Sequence, residues 1–336
     1  MSRLWWTKTG NTHNAPGGIR PARVLLEVQP MNTERKSKKR RGVEQVQARW
    51  GWYFVIPAII FFSIFSFYPI INAFTLSFFK KNMISPLPPR FIGLGNYIYI
   101  LQSPDFWNSV RATLTFTLGT FIPLVVVSLL IAILITLQGR NFRLWQLLYY
   151  SPAVLSSAVA ALTWMQIFTP TGIANQVFNA IRHTSGVDMR WLSSGEMVQF
   201  STMIVYFWKY IGYFTVLYIT GITKIPPVIY EAATIDGASR TQSFFKITLP
   251  LLKPTTTLVS IMAMLQCLKT FSTQFLFTQS GAPKAPINVI TLNIYNTALK
   301  DYNVGRASVM SILLFVTMLI LTIIQLKVSR SDDVTY

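Results

Sequence analysis

The chain is poor in the residues that build reaction centres. Its one cysteine, Cys267, excludes an intrachain disulfide framework, and its two histidines, His13 and His183, lie too far apart in sequence to suggest a zinc site. No Gly-Lys pair occurs anywhere, so the phosphate-cradling loop G-x-x-x-x-G-K-[ST] is excluded and the chain does not bind ATP in that way. Neither a Ser/His/Asp arrangement nor a pair of carboxylates suggests hydrolysis. Acidic residues are scarce, 11 Asp and Glu against 30 Lys and Arg, and charged residues make up only 12% of the chain. What is abundant is apolar surface: 51% of the 336 residues are hydrophobic and the mean hydropathy is +0.42. That balance fits an all-α polytopic membrane protein better than a soluble domain.

A transmembrane helix needs an apolar run long enough to cross about 30 Å of hydrocarbon. Six runs qualify, at residues 52–76, 113–137, 144–168, 200–222, 255–277 and 307–326. Only the fourth and fifth contain a charge, at Lys209 and Lys269. None alternates with period two, which excludes a β-barrel, and helices are then the only way to satisfy the backbone in lipid.

Lysine and arginine counts set the orientation. With the N-terminus inside, 19 basic residues fall on the inner side and nine on the outer: Lys80, Lys81, Arg90, Arg111, Arg182, Arg190, Lys284, Lys300 and Arg306. Both termini are therefore expected in the cytoplasm. Residues 1–50 lack hydrophobic periodicity and read as a disordered basic tail, 51–328 as the membrane domain and 329–336 as a short cytoplasmic tail. The cluster from Lys36 to Arg41 reads as a positive-inside topology signal that can also meet anionic headgroups. No folded basic module accompanies it, so no nucleic-acid role is expected. No cleavable signal peptide is evident, and Met31, at the head of the basic stretch, stands beside Met1 as a candidate start.

Between the fourth and fifth runs lies a polar segment, Glu231-Ala-Ala-Thr-Ile-Asp-Gly-Ala-Ser-Arg-Thr-Gln-Ser-Phe-Phe-Lys-Ile-Thr-Leu-Pro250. Pro226 and Pro227 suit the opening turn of a helix. Glu231 is expected early in that helix, where free N–H groups favour negative charge. Asp236-Gly237 signals a turn with positive φ at the glycine. Ser239 and Gln242 have capping-box spacing for a second helix. Phe244, Phe245, Ile247 and Leu249 give that helix an apolar side, and Pro250 is expected to stop it. The reading is helix, glycine elbow, helix.

These residues resemble the EAA loop of binding-protein-dependent ABC import permeases. Glu231, Ala232, Ala233, Gly237, Ile247, Leu249 and Pro250 fill the places of its pattern, and Asp236, Ala238, Gln242 and Phe244 further match the carbohydrate-uptake branch. The likeness extends over roughly residues 50–328. It includes Pro57, Tyr68 and Pro69, the box Phe91-Ile-Gly-Leu-Gly-Asn-Tyr97, Pro104, Phe106 and Trp107, Phe142-Arg143 and Pro152, Trp208-Lys209 with Gly212, and Gly305 with Ala307-Ser308. Two departures stand out. Thr278-Gln-Ser-Gly-Ala-Pro283 is one residue longer than the family's T-x-G-G-P, and Ser272 follows Phe271 where relatives often carry an acid. Both bear on which substrate is carried.

The resemblance implies a type I importer core with a cytoplasmic coupling hairpin in a prokaryotic cytoplasmic membrane. Two ATP-binding cassette subunits would hold ATP and Mg, a second permease, generally a different chain, would complete the pore, and an extracytoplasmic solute-binding protein would deliver a sugar, oligosaccharide or polyol. In the hairpin, Gly237 would form the elbow, Glu231 would touch the ATPase groove, and Ala232 and Ala233 would allow close approach. Phe244 and Leu249 would hold the hairpin to its own spans. For the substrate path the candidates are Lys209 with Trp208 and Tyr210, and Lys269 with Gln266. A mid-span lysine costs roughly 2.5–3.5 kcal/mol on insertion scales and usually faces a bundle interior or wet cavity. Gln274 and Trp164 are weaker candidates. The competing reading, an ion-coupled secondary transporter working alone, calls for intramembrane carboxylates. The six runs contain none.

Overall fold

The computed structural model describes residues 50–137, 142–184, 186 and 188–330. The basic cluster, Met31 and the last residues of the C-terminal tail lie outside them. The chain divides at Ile64/Phe65 into two units. The described part of the first unit is one helical stretch of apolar, exposed side chains from Trp50 onward, and it opens helix α1, Trp50–Ser77.

In the second unit the chain runs through a short β1 (Phe79–Lys80) and β2 (Arg90–Phe91), paired antiparallel, then α2 (Gly95–Gln102) and α3 (Pro104–Thr136). Helices α4 (Phe142–Val154), α5 (Ser157–Ile167), α6 (Ile173–Arg182) and α7 (Gly195–Ile222) follow. Next come α8 (Pro227–Ile235), α9 (Arg240–Leu251), α10 (Lys253–Leu268) and α11 (Ser272–Gln279). The chain ends in α12 (Lys284–Ile287), α13 (Ile290–Tyr295) and α14 (Val304–Arg330). The all-α expectation holds, with two-residue strands as the only sheet among the described residues.

Three helices, α1, α3 and α14, are long and apolar enough to cross a membrane, and two bent pairs raise that to five. The third and fifth predicted spans are thus not straight rods. Helices α4 and α5 meet at 95°. Pro152 weakens the end of α4, and Ser156 restarts the chain as an N-cap whose hydroxyl accepts the Val159 N–H at 3.2 Å. The fifth run is interrupted after α10 at residues 269–271, and its entry from α9 bends by 65°. The predicted fourth span is the 28-residue α7, which is long enough but falls outside that count, its middle carrying Lys209 and four tyrosines.

The position of α7 explains that composition. It packs against α3, α4, α5, α10, α11 and α12, so its surface meets protein. Phe214 and Tyr218 of α7 bury fully against Phe116 and Leu124 of α3 and Val259, Ala263 and Cys267 of α10. Gly212 is where α4 crosses: a Cβ there would stand 1.8 Å from the Tyr149 carbonyl oxygen. Only glycine allows that approach.

The Phe91-to-Tyr97 box is a structural lock. Asn96 is buried, and its amide donates to the carbonyls of Ser77 and Phe79, both at 2.9 Å. Tyr97 Oη meets Ser77 Oγ at 2.9 Å. Helix α3 then continues for 33 residues, about 50 Å at 1.5 Å per residue, well beyond the hydrocarbon thickness. Its first turn helps to wall a cavity.

Candidate functional site: the elbow and the broken spans

The polar segment folds as helix, elbow, helix. Pro226 sits in extended conformation (φ −60°, ψ 131°) and Pro227 opens α8. After Asp236 the chain enters Gly237 at φ +76°. The Gly237 N–H donates to the Thr234 carbonyl at 3.1 Å and the Ala238 N–H to the Ala233 carbonyl at 2.9 Å. These crossed bonds form a Schellman cap, which satisfies the orphan carbonyls of α8 and requires a left-handed residue at the glycine. A Cβ at Gly237 would meet nothing within 4 Å, so the backbone angle alone selects glycine here.

Ser239 then caps α9. Its hydroxyl accepts the Gln242 N–H at 3.2 Å, while Gln242 Oε1 accepts the Ser239 N–H at 2.8 Å, completing the capping box. Tyr230 of α8 and Thr248 of α9 join the two arms through their hydroxyls at 3.0 Å.

Two expectations about this segment need correction. Pro250 does not end the second helix. The backbone widens into a π-helical stretch, Phe244–Thr248, where the Leu249 N–H reaches back to the Phe244 carbonyl, and the helix continues to Leu251. Widening moves the carbonyl that the proline ring would otherwise strike, so the bend falls later, at Leu252. Glu231 is the fifth residue of α8, beyond its first turn, so the exposed N–H groups of the helix start do not account for its charge.

The two arms present a mixed tip. Glu231, Ala232, Asp236, Gly237 and Pro250 are exposed, Phe244 and Leu249 are half-buried, and Ala233 is buried. Ala233 therefore packs within its own chain, leaving Ala232 as the small residue open to a partner. Sequence reasoning missed Ile235, which is 86% exposed beside the elbow, and Phe245, expected on the apolar side of the second helix, is exposed at the start of the π stretch. An isoleucine directly before an Asp-Gly turn was the available signal.

The intramembrane candidates fall into two places. Lys209 lies mid-way along α7, buried, with its Nζ 4.4 Å from the centre of the Tyr210 ring. Tyr210 reaches Ser157 of α5 at 3.4 Å, and Trp208 packs edge-on against Trp164 at 5.7 Å. These contacts tie the cation to α5, the second arm of the first bent pair. Lys269 is exposed where α10 breaks, and Gln266 is half-buried one turn before it. At that break Thr291 donates to the freed Thr270 carbonyl, and Thr270 Oγ1 donates to Gln274 Oε1 at 2.9 Å. Gln274 is fully buried with its Nε2 unpaired. Irregular backbone at membrane depth is tolerated where protein or a wet cavity receives it, and such breaks line the pathways of transporters.

Apolar helices that bend along their length, a mid-span cation held over an aromatic ring and a stiff polar elbow between two of the spans together define a multi-pass membrane permease. A family model described as the binding-protein-dependent transport system inner membrane component matches residues 92–331, and the chain belongs to that family.

The chain is 30% identical over 284 residues to a probable ABC transporter permease protein, YurN, of Bacillus subtilis, covering 82% of this chain and 94% of that one. It is also 30% identical over 287 residues to the trehalose/maltose transport system permease protein MalF of Thermococcus litoralis, covering 84% and 95%. A crystal structure of a bacterial ABC transporter involved in import of the acidic polysaccharide alginate superposes with a TM-score of 0.73 at 23% identity, over 87% of this chain and 99% of that one. The likeness to that structure is one of fold.

Proposed function

We propose that this permease is the membrane-spanning subunit of an ATP-driven importer for a sugar, oligosaccharide or related polyol. It crosses the membrane six times, with α7 completing the count and both termini in the cytoplasm. The observation that carries the reading is the elbow: a short hairpin, stiffened by a Schellman cap and a capping box, offers Glu231, Ala232 and Ile235 to a partner. Stiffness of that kind suits the transmission of force.

Two ATP-binding cassette subunits bind ATP and Mg and receive the tip in a groove. A second permease chain completes the pathway, and an extracytoplasmic solute-binding protein delivers the cargo. Closure of the ATPase pair moves the elbow, and the bundle switches between inward- and outward-facing states as a rigid-body transition. Lys209, Trp208, Tyr210, Gln266 and Lys269 line the substrate path. The sugar class is supported by the relatives named above and by the match to a multiple sugar-binding transport system permease protein of Streptococcus mutans.

Gly237→Asp tests the coupling. It forces a side chain into φ +76° without a steric clash. The folded permease is expected to persist while ATPase co-purification and sugar uptake fall together. Undiminished association and uptake, or uptake driven by an ion gradient with no ATPase present, overturns the assignment.

A further inference from the structure

A cavity of about 410 Å³ lies between α2, the start of α3 and residues 284–310, and residues 269–271 are not among its lining. Three of its lining residues are buried asparagines: Asn288, Asn293 and Asn296. Asn293 is held in place, its amide donating to the Asp105 backbone carbonyl and to Ser109 Oγ, both at 3.3 Å. Asn296 is only 5% exposed, yet neither its Oδ1 nor its Nδ2 has a partner, and Asn288 Oδ1 is also unpaired. Burying an amide without hydrogen bonds is costly, and a fold keeps such groups where something else uses them. Asn296 also opens a π-helical stretch, Asn296–Lys300, a distortion frequent at functional sites.

The charges around these amides narrow the ligand. Lys284, Lys300 and Arg306 line the cavity together with Asp105 and Asp301. The Arg306 guanidinium lies over the Tyr99 ring at 3.3 Å, which leaves the N–H groups at its edge available. An anion would meet the two acids and a cation the three bases. A hydroxyl group both donates and accepts, so it can use amides, carboxylates and ammonium groups alike.

We propose that this cavity is a second binding site, specific for a neutral polyhydroxylated solute such as a sugar unit, at the mouth of the permease and separate from Lys209 and Lys269. The proposal rests on the sugar-import reading and, on the orientation given above, places the site on the extracytoplasmic side. Its role is to hold a sugar outside the path.

The test uses the complete importer in lipid nanodiscs. Ser103 is half-buried on the cavity wall and makes no side-chain cap bond, so Ser103→Cys supplies a reporter thiol, while the native Cys267 is buried. Glucose or maltose is expected to slow maleimide labelling of this cysteine several-fold, with inorganic phosphate and choline having no effect. Asn296→Leu is expected to abolish the protection. Asn296→Asp, which keeps the volume and the acceptors, is expected to retain part of it, and protection should persist in Lys269→Ala. Failure of both sugars to protect, protection by phosphate or choline, or protection that survives Asn296→Leu overturns the site. Absent protection with sugar uptake intact removes only this site. Absent sugar uptake in the unmodified importer removes the import reading as well.

Discussion

The chain turns sharply in two kinds of place, and they are built differently. The elbow at Gly237 is made from neighbours in sequence: a Schellman cap, a capping box and one left-handed glycine, all within residues 233–242. The bent spans are held by distant partners, with Ser156 adding a local cap to the first of them. Gly212 admits the Tyr149 backbone across two helices, and Thr291 takes up the carbonyl freed at Thr270. A bend encoded locally survives on its own and can serve as a handle. A bend encoded by packing exists only while the bundle is assembled.

Substitution should separate the two. The largest effect is expected from Gly212→Leu, because a Cβ at 1.8 Å from a carbonyl oxygen forces α4 and α7 apart. A loss of about 3 kcal/mol or more is expected, seen as a collapse of the thermal midpoint and of monodispersity in detergent. Gly237→Ala should cost roughly 1–2 kcal/mol, confined to the elbow by its left-handed backbone, and leave the thermal midpoint of the bundle nearly unchanged. Ser239→Ala should cost about 1 kcal/mol through the lost cap, detected as faster amide exchange at Gln242 with the bundle again unaffected. An elbow variant that melts the bundle, or a Gly212 variant that does not, breaks the contrast.

The same contrast explains what could be read from sequence. Pro227, Asp236-Gly237, Ser239 and Gln242 each state a local rule, and the hairpin they specify is the one found. The break at residues 269–271 carries neither proline nor glycine, so nothing local announces it, and the carbonyl it frees is taken up by Thr291, twenty-one residues on. Pro152 was visible, but the 95° turn falls after it, where Ser156 restarts the helix. Pro250 misled for a related reason: a proline stops an ordinary α-helix, whereas here the π widening accommodates it. The cavity was invisible because its walls come from residues 99–106 and 284–310, brought together by packing of α14 on α2 and of α12 and α13 on α3.

The π-widened stretch has one further consequence. From Arg240 to Leu268 the backbone is helical except at Leu252, where it bends by 65°. The short arm before the bend and the long arm after it are joined by a single non-helical residue, so a displacement of the elbow would pass through Leu252 to α10 rather than be lost in an irregular loop.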